Sequence, residues 1–261
     1  MPIPVGSFES RAVGLLSNTG HTCSAAFVSQ RLAITSRHCF FHKSEPASES
    51  RILEALQPIP GENHGLIAKQ ATLGPLVASG VVNFQPEHLF EIREVWWGPS
   101  EAVRDDWAVL LLDADTAQLQ QVSAGNLDPS EAAYPGQLFE TFELANESWS
   151  VLAKALHFAG FAEDFFLQGR GRGTGHLQTD CEITQVSNAV IVNDCYNSIG
   201  ASGGPLWIPG SHQLIGAQSF LNCSAMYVGR PDECTKHPIE AGGPTVSQFR
   251  GIAKFLIDNG N

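Results

Sequence analysis

Short apolar runs, each closed by glycine, proline, asparagine or serine, follow one another along most of the chain. Runs of about four to eight residues bounded by such turn formers are typical of β-strands. A chain with many short strands and frequent turns favours a barrel or a sandwich over a helical bundle. The predicted strands cover residues 12–16, 25–28, 32–35, 66–73, 77–82, 90–96, 107–112, 151–161, 176–184, 189–192, 204–208 and 214–220.

The end of the chain departs from this pattern. Apolar residues recur there at helical spacing after Pro244, which predicts a short amphipathic helix over about 246–258. They are Val246, Phe249, Ile252, Ala253 and Leu256. A more polar stretch over 116–149 separates the two sets of strands. We therefore predict two domains, 1–125 and 126–261.

The charge of the chain limits its partners. Its 261 residues include 15 basic and 27 acidic side chains, for a formal net charge of −12. Phosphate backbones and anionic lipid surfaces would be repelled, so we expect neither a nucleic-acid partner nor a membrane partner. No apolar run approaches the ~18 residues of a membrane-spanning helix. We expect a monomer.

Six cysteines form three close pairs along the sequence, which suits disulfides and an oxidising compartment. The first ten residues, MPIPVGSFES, have neither a basic nor an apolar signal region, so we interpret the chain as the mature part of a secreted or periplasmic protein. Zinc is the competing interpretation, but no C-x-x-C pair occurs. His38 and His42 are four residues apart in a segment that follows a strand, whereas this spacing would suit one ion on a helix. We expect no metal and no cofactor.

Three short motifs contain candidate catalytic residues: His38 in TSRHCF, Asp106 in DDWAVLLLD and Ser202 in GASGGPLW. A serine nucleophile needs a base, and the base needs a carboxylate that fixes its tautomer. The developing oxyanion needs backbone N–H donors, here those of Gly200 and Ser202. Asp105 is the alternative carboxylate, but Asp106 stands closer to the apolar strand that follows.

These motifs, in the order His, Asp, Ser, resemble those of the chymotrypsin and trypsin superfamily of serine peptidases. The strings AVGLL, HFAGFAED and GASGGPL are most similar to the bacterial branch around the glutamyl endopeptidases. The resemblance implies an all-β fold of two antiparallel six-stranded β-barrels packed together, with a short C-terminal α-helix. His38 and Asp106 would belong to the first barrel and Ser202 to the second.

The same resemblance implies a serine endopeptidase that hydrolyses protein or peptide substrates through an acyl-enzyme. A catalytically inactive relative that acts as a binding or adhesion protein is the alternative, and an esterase is a third interpretation. The chain departs from the animal enzymes at Ala201, where they have an aspartate before the serine. A freshly cut N-terminal ammonium would therefore find no carboxylate there to pair with.

The resemblance also implies a disulfide beside the histidine. The predicted bridges join Cys23 to Cys39, Cys181 to Cys195 and Cys223 to Cys234. The main competing bridge joins Cys195 to Cys223, close to the specificity pocket in the animal enzymes.

The specificity pocket is placed by the resemblance on six residues. They are Tyr196, Asn197, Gln218, Ser219, Phe220 and Leu221. None of them is a carboxylate, so a preference for Arg or Lys is not expected. Gln218 replaces the histidine of the glutamyl enzymes, and the bulk of Leu221 would narrow the mouth of the pocket. We expect a small or medium-sized uncharged residue before the scissile bond.

Overall fold

The structure is a computed structural model. It describes residues 1–4, 7–18, 21–41, 56–59, 62–67, 71–75, 89–113, 140–146, 155–161, 175–195, 198, 200–223 and 238–259. In this part of the chain, two eight-stranded β-sheets account for most of the regular structure, and two α-helices complete it.

The first sheet is antiparallel and is built from the first half of the chain. Its strands are β1 (Val13–Asn18), β2 (His21–Phe27), β3 (Leu32–Thr35), β4 (Leu56–Pro58), β5 (His64–Ile67), β6 (Ala71–Pro75), β7 (Phe90–Trp97) and β8 (Ala108–Leu112). They lie in the order β4-β5-β7-β6-β1-β2-β3-β8. Because β7 also pairs with β8, six of the strands form a closed ring of pairings.

The second sheet uses the second half of the chain. Its strands are β9 (Glu143–Leu144), β10 (Ala155–Phe161), β11 (Gly175–Ser187), β12 (Val190–Asn193), β13 (Pro205–Ile208), β14 (Gln213–Ala217), β15 (Phe220–Cys223) and β16 (Pro238–Pro244). Their order is β15-β16-β12-β11-β10-β13-β14-β9, and only the pairing of β9 with β14 is parallel. A bridge between Gly216 and Thr245 joins β14 to the residue after β16, which again links six strands into a ring. The predicted fold class is confirmed.

Two helices flank the sheets. Their bounds are α1 (Phe8–Ala12) and α2 (Arg250–Asp258). The predicted C-terminal helix is confirmed, but it starts with a separate 3₁₀ turn over Val246–Gln248. Ala253 and Leu256 of α2 are buried in the core, as its apolar spacing requires.

Strand β8 shows how the two sheets share their apolar interior. All five of its residues are buried. Leu110 and Leu112 face the interior of the first sheet, whereas Val109 and Leu111 face a second core that also contains Trp207 of β13. Side chains alternate along a strand, so an apolar residue at every position indicates burial on both faces. This double burial fixes β8 in place, and Asp106 lies two residues before its first residue.

Most predicted strands overlap observed ones. The predicted strand 66–73 is divided between β5 and β6, and 214–220 is divided between β14 and β15. Strands β4, β9 and β16 were not predicted, because two are very short and β16 is rich in glycine and proline. The predicted strand 77–82 and the predicted boundary between residues 125 and 126 lie outside the described residues.

No helix among the described residues is long and apolar enough to cross a bilayer.

Candidate active site

His38 lies in a 3₁₀ turn, Arg37–Cys39, directly after β3. The turn is tied to β2 by the disulfide between Cys23 and Cys39. It is also tied to the second sheet, because the buried hydroxyl of Ser36 donates to the carbonyl of Gln218 at 2.8 Å. The backbone at His38 is therefore held from both sides.

Asp106 reaches His38 because of the strand register. In the pairing of β3 with β8, Thr35 lies opposite Ala108, so the residues after β3 and before β8 meet at one edge. Oδ1 of Asp106 accepts the backbone N–H of His38 at 2.8 Å, and Oδ2 lies 2.6 Å from Nδ1 of the ring. A carboxylate that binds both the backbone and the ring fixes the orientation of the imidazole.

The environment of Asp106 favours its ionised form. Burial by itself opposes ionisation, but hydrogen bonds from the ring and backbone of His38, the charge of His38 and the hydroxyl of Ser219 together hold the pKa of Asp106 below its ordinary value. An ionised Asp106 accepts Nδ1–H and leaves Nε2 of His38 as the nitrogen that can take a proton. About a third of the His38 side chain, 34%, is exposed.

Asp105 has a different environment. Its Oδ2 accepts the hydroxyl of Ser100, and its side chain is buried. The carboxylate that contacts His38 in the structure is therefore that of Asp106.

Ser202 lies in a tight turn between Ser198 and β13. The N–H of Ala201 donates to Ser198 and that of Gly204 donates to Ala201. Two glycines in the turn have positive φ, Gly200 at 95° and Gly203 at 83°. Only glycine adopts such angles without strain, which explains the Gly-x-Ser-Gly pattern. Ser202 itself is half-buried.

Gly203 brings the turn against the segment that leads to His38. A Cβ at this position would overlap the hydroxyl of Thr35 and the carbonyl of Ser24, and would lie 2.9 Å from the backbone nitrogen of Ser36. The absence of a side chain at Gly203 therefore allows the serine turn to lie beside the residues before the histidine. Within the described part of the chain, neither the N–H of Gly200 nor that of Ser202 donates a hydrogen bond.

The predicted pocket residues have several environments. Gln218 has no exposed surface, and its amide donates to the carbonyls of Phe220 at 2.9 Å and Gly242 at 3.2 Å. Ser219 bonds Asp106, a role that the sequence did not indicate. Phe220 and Leu221 are partly exposed, whereas Tyr196 and Asn197 lie outside the described residues.

Two of the three predicted disulfides are confirmed, Cys23–Cys39 and Cys181–Cys195. The second bridge excludes the competing pair of Cys195 with Cys223. Cys234 lies outside the described residues, so the third bridge stays a prediction. His38 lies within 4.8 Å of both sulfurs of the first disulfide, but bonded sulfurs are not thiolate ligands for a metal.

No protein family profile and no curated protein matches the chain. Solved structures do match. A Glu endopeptidase in complex with MPD aligns over 97% of this chain and 95% of its own, with 14% identity and a TM-score of 0.59. The thermostable serine protease AL20 from an extremophilic microorganism aligns over 92% and 93%, with 14% identity and a TM-score of 0.56.

A human heparin binding protein aligns over 100% of this chain and 96% of its own, with 14% identity and a TM-score of 0.58. The chain has the chymotrypsin-like fold. The fold that the three motifs implied is thus confirmed, and a Glu endopeptidase is among the structural neighbours, as the sequence resemblance suggested. Sequence identities near 14% support a common fold and not a common activity.

Proposed function

We propose that the protein is a serine endopeptidase in which Ser202 is the nucleophile, His38 the general base and Asp106 the residue that orients the base. The observation that supports this most directly is the double contact of Asp106 with the ring and backbone of His38. The turn that contains Ser202 packs against the residues leading to that same histidine. A nucleophile, a base and a carboxylate in this order match the requirements of acyl transfer.

In the proposed mechanism, Oγ of Ser202 attacks the scissile carbonyl while Nε2 of His38 takes its proton. The N–H groups of Gly200 and Ser202 stabilise the oxyanion. The imidazolium then donates the proton to the leaving amine as the C–N bond breaks. A water molecule, deprotonated by the same ring, then attacks the acyl-enzyme, and the ring returns that proton to Oγ of Ser202 as the ester bond breaks and the acid product leaves. The lowered pKa of Asp106 keeps this carboxylate ionised beside the imidazolium.

The proposed substrates are proteins or peptides with a small or medium-sized uncharged residue before the scissile bond. Both donor hydrogens of the Gln218 amide are used by backbone carbonyls. This leaves Gln218 no donor for a substrate carboxylate, which argues against a glutamyl preference. Cleavage-site profiling with a peptide library checks this, and a dominant cut after Arg, Lys or Glu would contradict it. The two disulfides favour export to an oxidising compartment.

A binding protein without peptidase activity is the alternative. One structural neighbour is named for binding heparin. Heparin is a polyanion, and a chain with a net charge of −12 would repel it, so that neighbour's partner does not suit this chain. A non-catalytic protein with another partner would fail to react with an active-site serine reagent.

The test is labelling with a fluorophosphonate together with casein hydrolysis, for the wild type, Ser202→Ala and Ser211→Ala. Ser211 lies in an exposed turn of the same sheet and is the matched serine control. We expect Ser202→Ala to lose all labelling and to lower turnover by about 10⁴-fold or more, while Ser211→Ala behaves as the wild type. An unlabelled wild type, or casein cleavage by Ser202→Ala at the wild-type rate, would overturn the proposal.

A further inference from the structure

We propose that Ser24, a residue of the first sheet, is a positioning residue that holds the oxyanion-binding N–H groups of the second sheet in place. This inference rests on the proposed function, because it assigns Ser24 a part in acylation of Ser202. Ser24 belongs to β2 and has no exposed surface. It lies 176 residues before the turn that it contacts.

Ser24 makes hydrogen bonds on both sides of the nucleophile. Its backbone N–H donates to the carbonyl of Ser202 at 2.7 Å. Its hydroxyl donates to the carbonyl of Gly200 at 2.8 Å and accepts the backbone N–H of Phe161, also at 2.8 Å. The hydroxyl therefore satisfies two buried backbone groups of the second sheet at once.

These bonds restrict the peptide planes of the turn. The carbonyl of Gly200 belongs to the peptide that precedes Ala201, and the carbonyl of Ser202 belongs to the peptide that precedes Gly203. The N–H of Ser202 lies in the peptide between these two planes. Peptide units are rigid, so fixing the planes on either side limits rotation of the one between them. The restriction matters most at Gly200, because glycine has the widest choice of backbone angles.

Ser24 is itself anchored on the side of the histidine. Its carbonyl accepts the hydroxyl of Thr35 at 2.7 Å, and Thr35 is the last residue of β3 before the turn of His38. The preceding residue, Cys23, is bonded to Cys39. Ser24 therefore contacts both the turn that contains Ser202 and the strand that leads to His38.

The other hydrogen bonds of the turn lie within the second sheet, among them the pair by which Gly203 and Gly204 bond Gln218. Ala201, the buried residue before the nucleophile, has no polar side-chain atom that could bind the turn to its surroundings. Without the Ser24 hydroxyl, the carbonyl of Gly200 and the N–H of Phe161 would lose this buried partner. An orphaned buried group favours rearrangement of its backbone, and here the rearrangement would move the N–H donors of the oxyanion site.

The experiment compares Ser24→Ala with Ser10→Ala. Ser10 is a buried residue of α1, and its hydroxyl donates to the carbonyl of Ser7, the N-cap of that helix. Each protein is analysed for its thermal unfolding midpoint, for kcat and KM on a peptide substrate, and for the rate of fluorophosphonate labelling per folded molecule. Ser24→Cys keeps the side-chain size with a much weaker donor, and it replaces Ser24→Ala if that variant does not fold.

We expect both alanine variants to lose stability. Only removal of the Ser24 hydroxyl should slow acylation, by about 10- to 100-fold, which is below the ~10²- to 10³-fold cost of losing an oxyanion donor outright. The loss should appear in kcat and in the labelling rate, with KM within about twofold of the wild type, because the groups involved act on the transition state.

Labelling of the Ser24 variant at the rate of Ser10→Ala would overturn the positioning role, as would a loss confined to KM. If the wild type itself is not labelled, the proposed function fails instead. The two failures are therefore distinguishable.

Discussion

The two halves of the candidate site are held in different ways. In the histidine half, both residues belong to the first sheet: His38 and Asp106 follow and precede paired strands, and they bond each other twice. Ser36 and Ser219 add one hydrogen bond each between this half and the second sheet. The serine half is not self-contained. The turn of Ser202 depends on two glycines with positive φ and on hydrogen bonds from Ser24 of the other sheet.

This difference implies different sensitivities. Damage to the histidine half should remove chemistry and leave the packing between the sheets intact. Damage to the serine half should alter chemistry and packing together, because the same contacts serve both. The following substitutions test the contrast.

The largest effect in the histidine half is expected from Asp106→Asn. An amide can turn its NH₂ group toward Nδ1 and so stabilise the tautomer with the proton on Nε2, which cannot accept the serine proton. We expect kcat to fall by about 10⁴-fold, and the unfolding midpoint to fall as well, because the charge that accepts the bonds from His38 and Ser219 is lost. Steady-state kinetics and circular dichroism measure the two.

Asp105→Asn is the matched control for that substitution. Its carboxylate bonds Ser100 and not the histidine, so this variant should lose stability and keep most of its turnover. Equal rate losses in Asp105→Asn and Asp106→Asn would show that the identity of the bonded carboxylate does not decide catalysis.

In the serine half, Gly203→Ala should damage activity and stability at once. The added methyl would overlap the carbonyl of Ser24 and the hydroxyl of Thr35, and φ at this position is 83°. We expect turnover to fall at least about 100-fold and the free energy of unfolding to fall by about 3 kcal/mol or more. Urea unfolding and labelling kinetics check this.

Gly210→Ala is the control that separates the cost of a positive φ from the cost of steric overlap with the first sheet. Gly210 has φ of 74°, but nothing lies within 4 Å of the position that its Cβ would occupy. This variant should lose only about 1 kcal/mol and keep its turnover. If Gly203→Ala is no worse than Gly210→Ala, the serine turn does not depend on contact with the first sheet.

The last prediction concerns Ser219, whose hydroxyl donates to Asp106 across the two sheets. The pKa of Asp106 is lowered in the folded protein, so its ionised form contributes stability above the ordinary pKa of an aspartate, near 3.8. That contribution is lost as the pH falls through the folded value. Ser219→Ala should be less stable than the wild type by about 2 kcal/mol at neutral pH.

The difference in the free energy of unfolding between Ser219→Ala and the wild type should become smaller as the pH drops below about 4. Protonated Asp106 is a weaker acceptor for the hydroxyl of Ser219 than the carboxylate is. Urea unfolding at a series of pH values measures this difference. Ser211→Ala, which loses a bond to the neutral carbonyl of Ile208, should show a difference that does not vary with pH. A difference for Ser219→Ala that stays constant from neutral to acid pH would contradict a charge-dependent bond.

The sequence predicted features that depend on neighbouring residues. The apolar runs gave most strands, and the glycines around Ser202 indicated its turn. Two disulfides followed from close spacing and from the family resemblance. The bond from Ser219 to Asp106 spans 113 residues, and that from Ser24 to Gly200 spans 176. A small polar residue in a strand, like Ser24, or between two strands, like Ser219, gives no local sign of a partner so distant, so these contacts could not be predicted.

The sequence separation between Ser24 and the turn that it contacts also determines when each is synthesised. A ribosome adds ~5–20 residues per second, so Gly200 follows Ser24 by about 9 to 35 s during synthesis. A nascent chain can pair His38 with Asp106 in that interval, but it has neither the proposed nucleophile nor the proposed oxyanion site. For the proposed peptidase, this order along the chain delays proteolytic activity until synthesis has passed Ser202, which protects the unfinished chain from cutting itself.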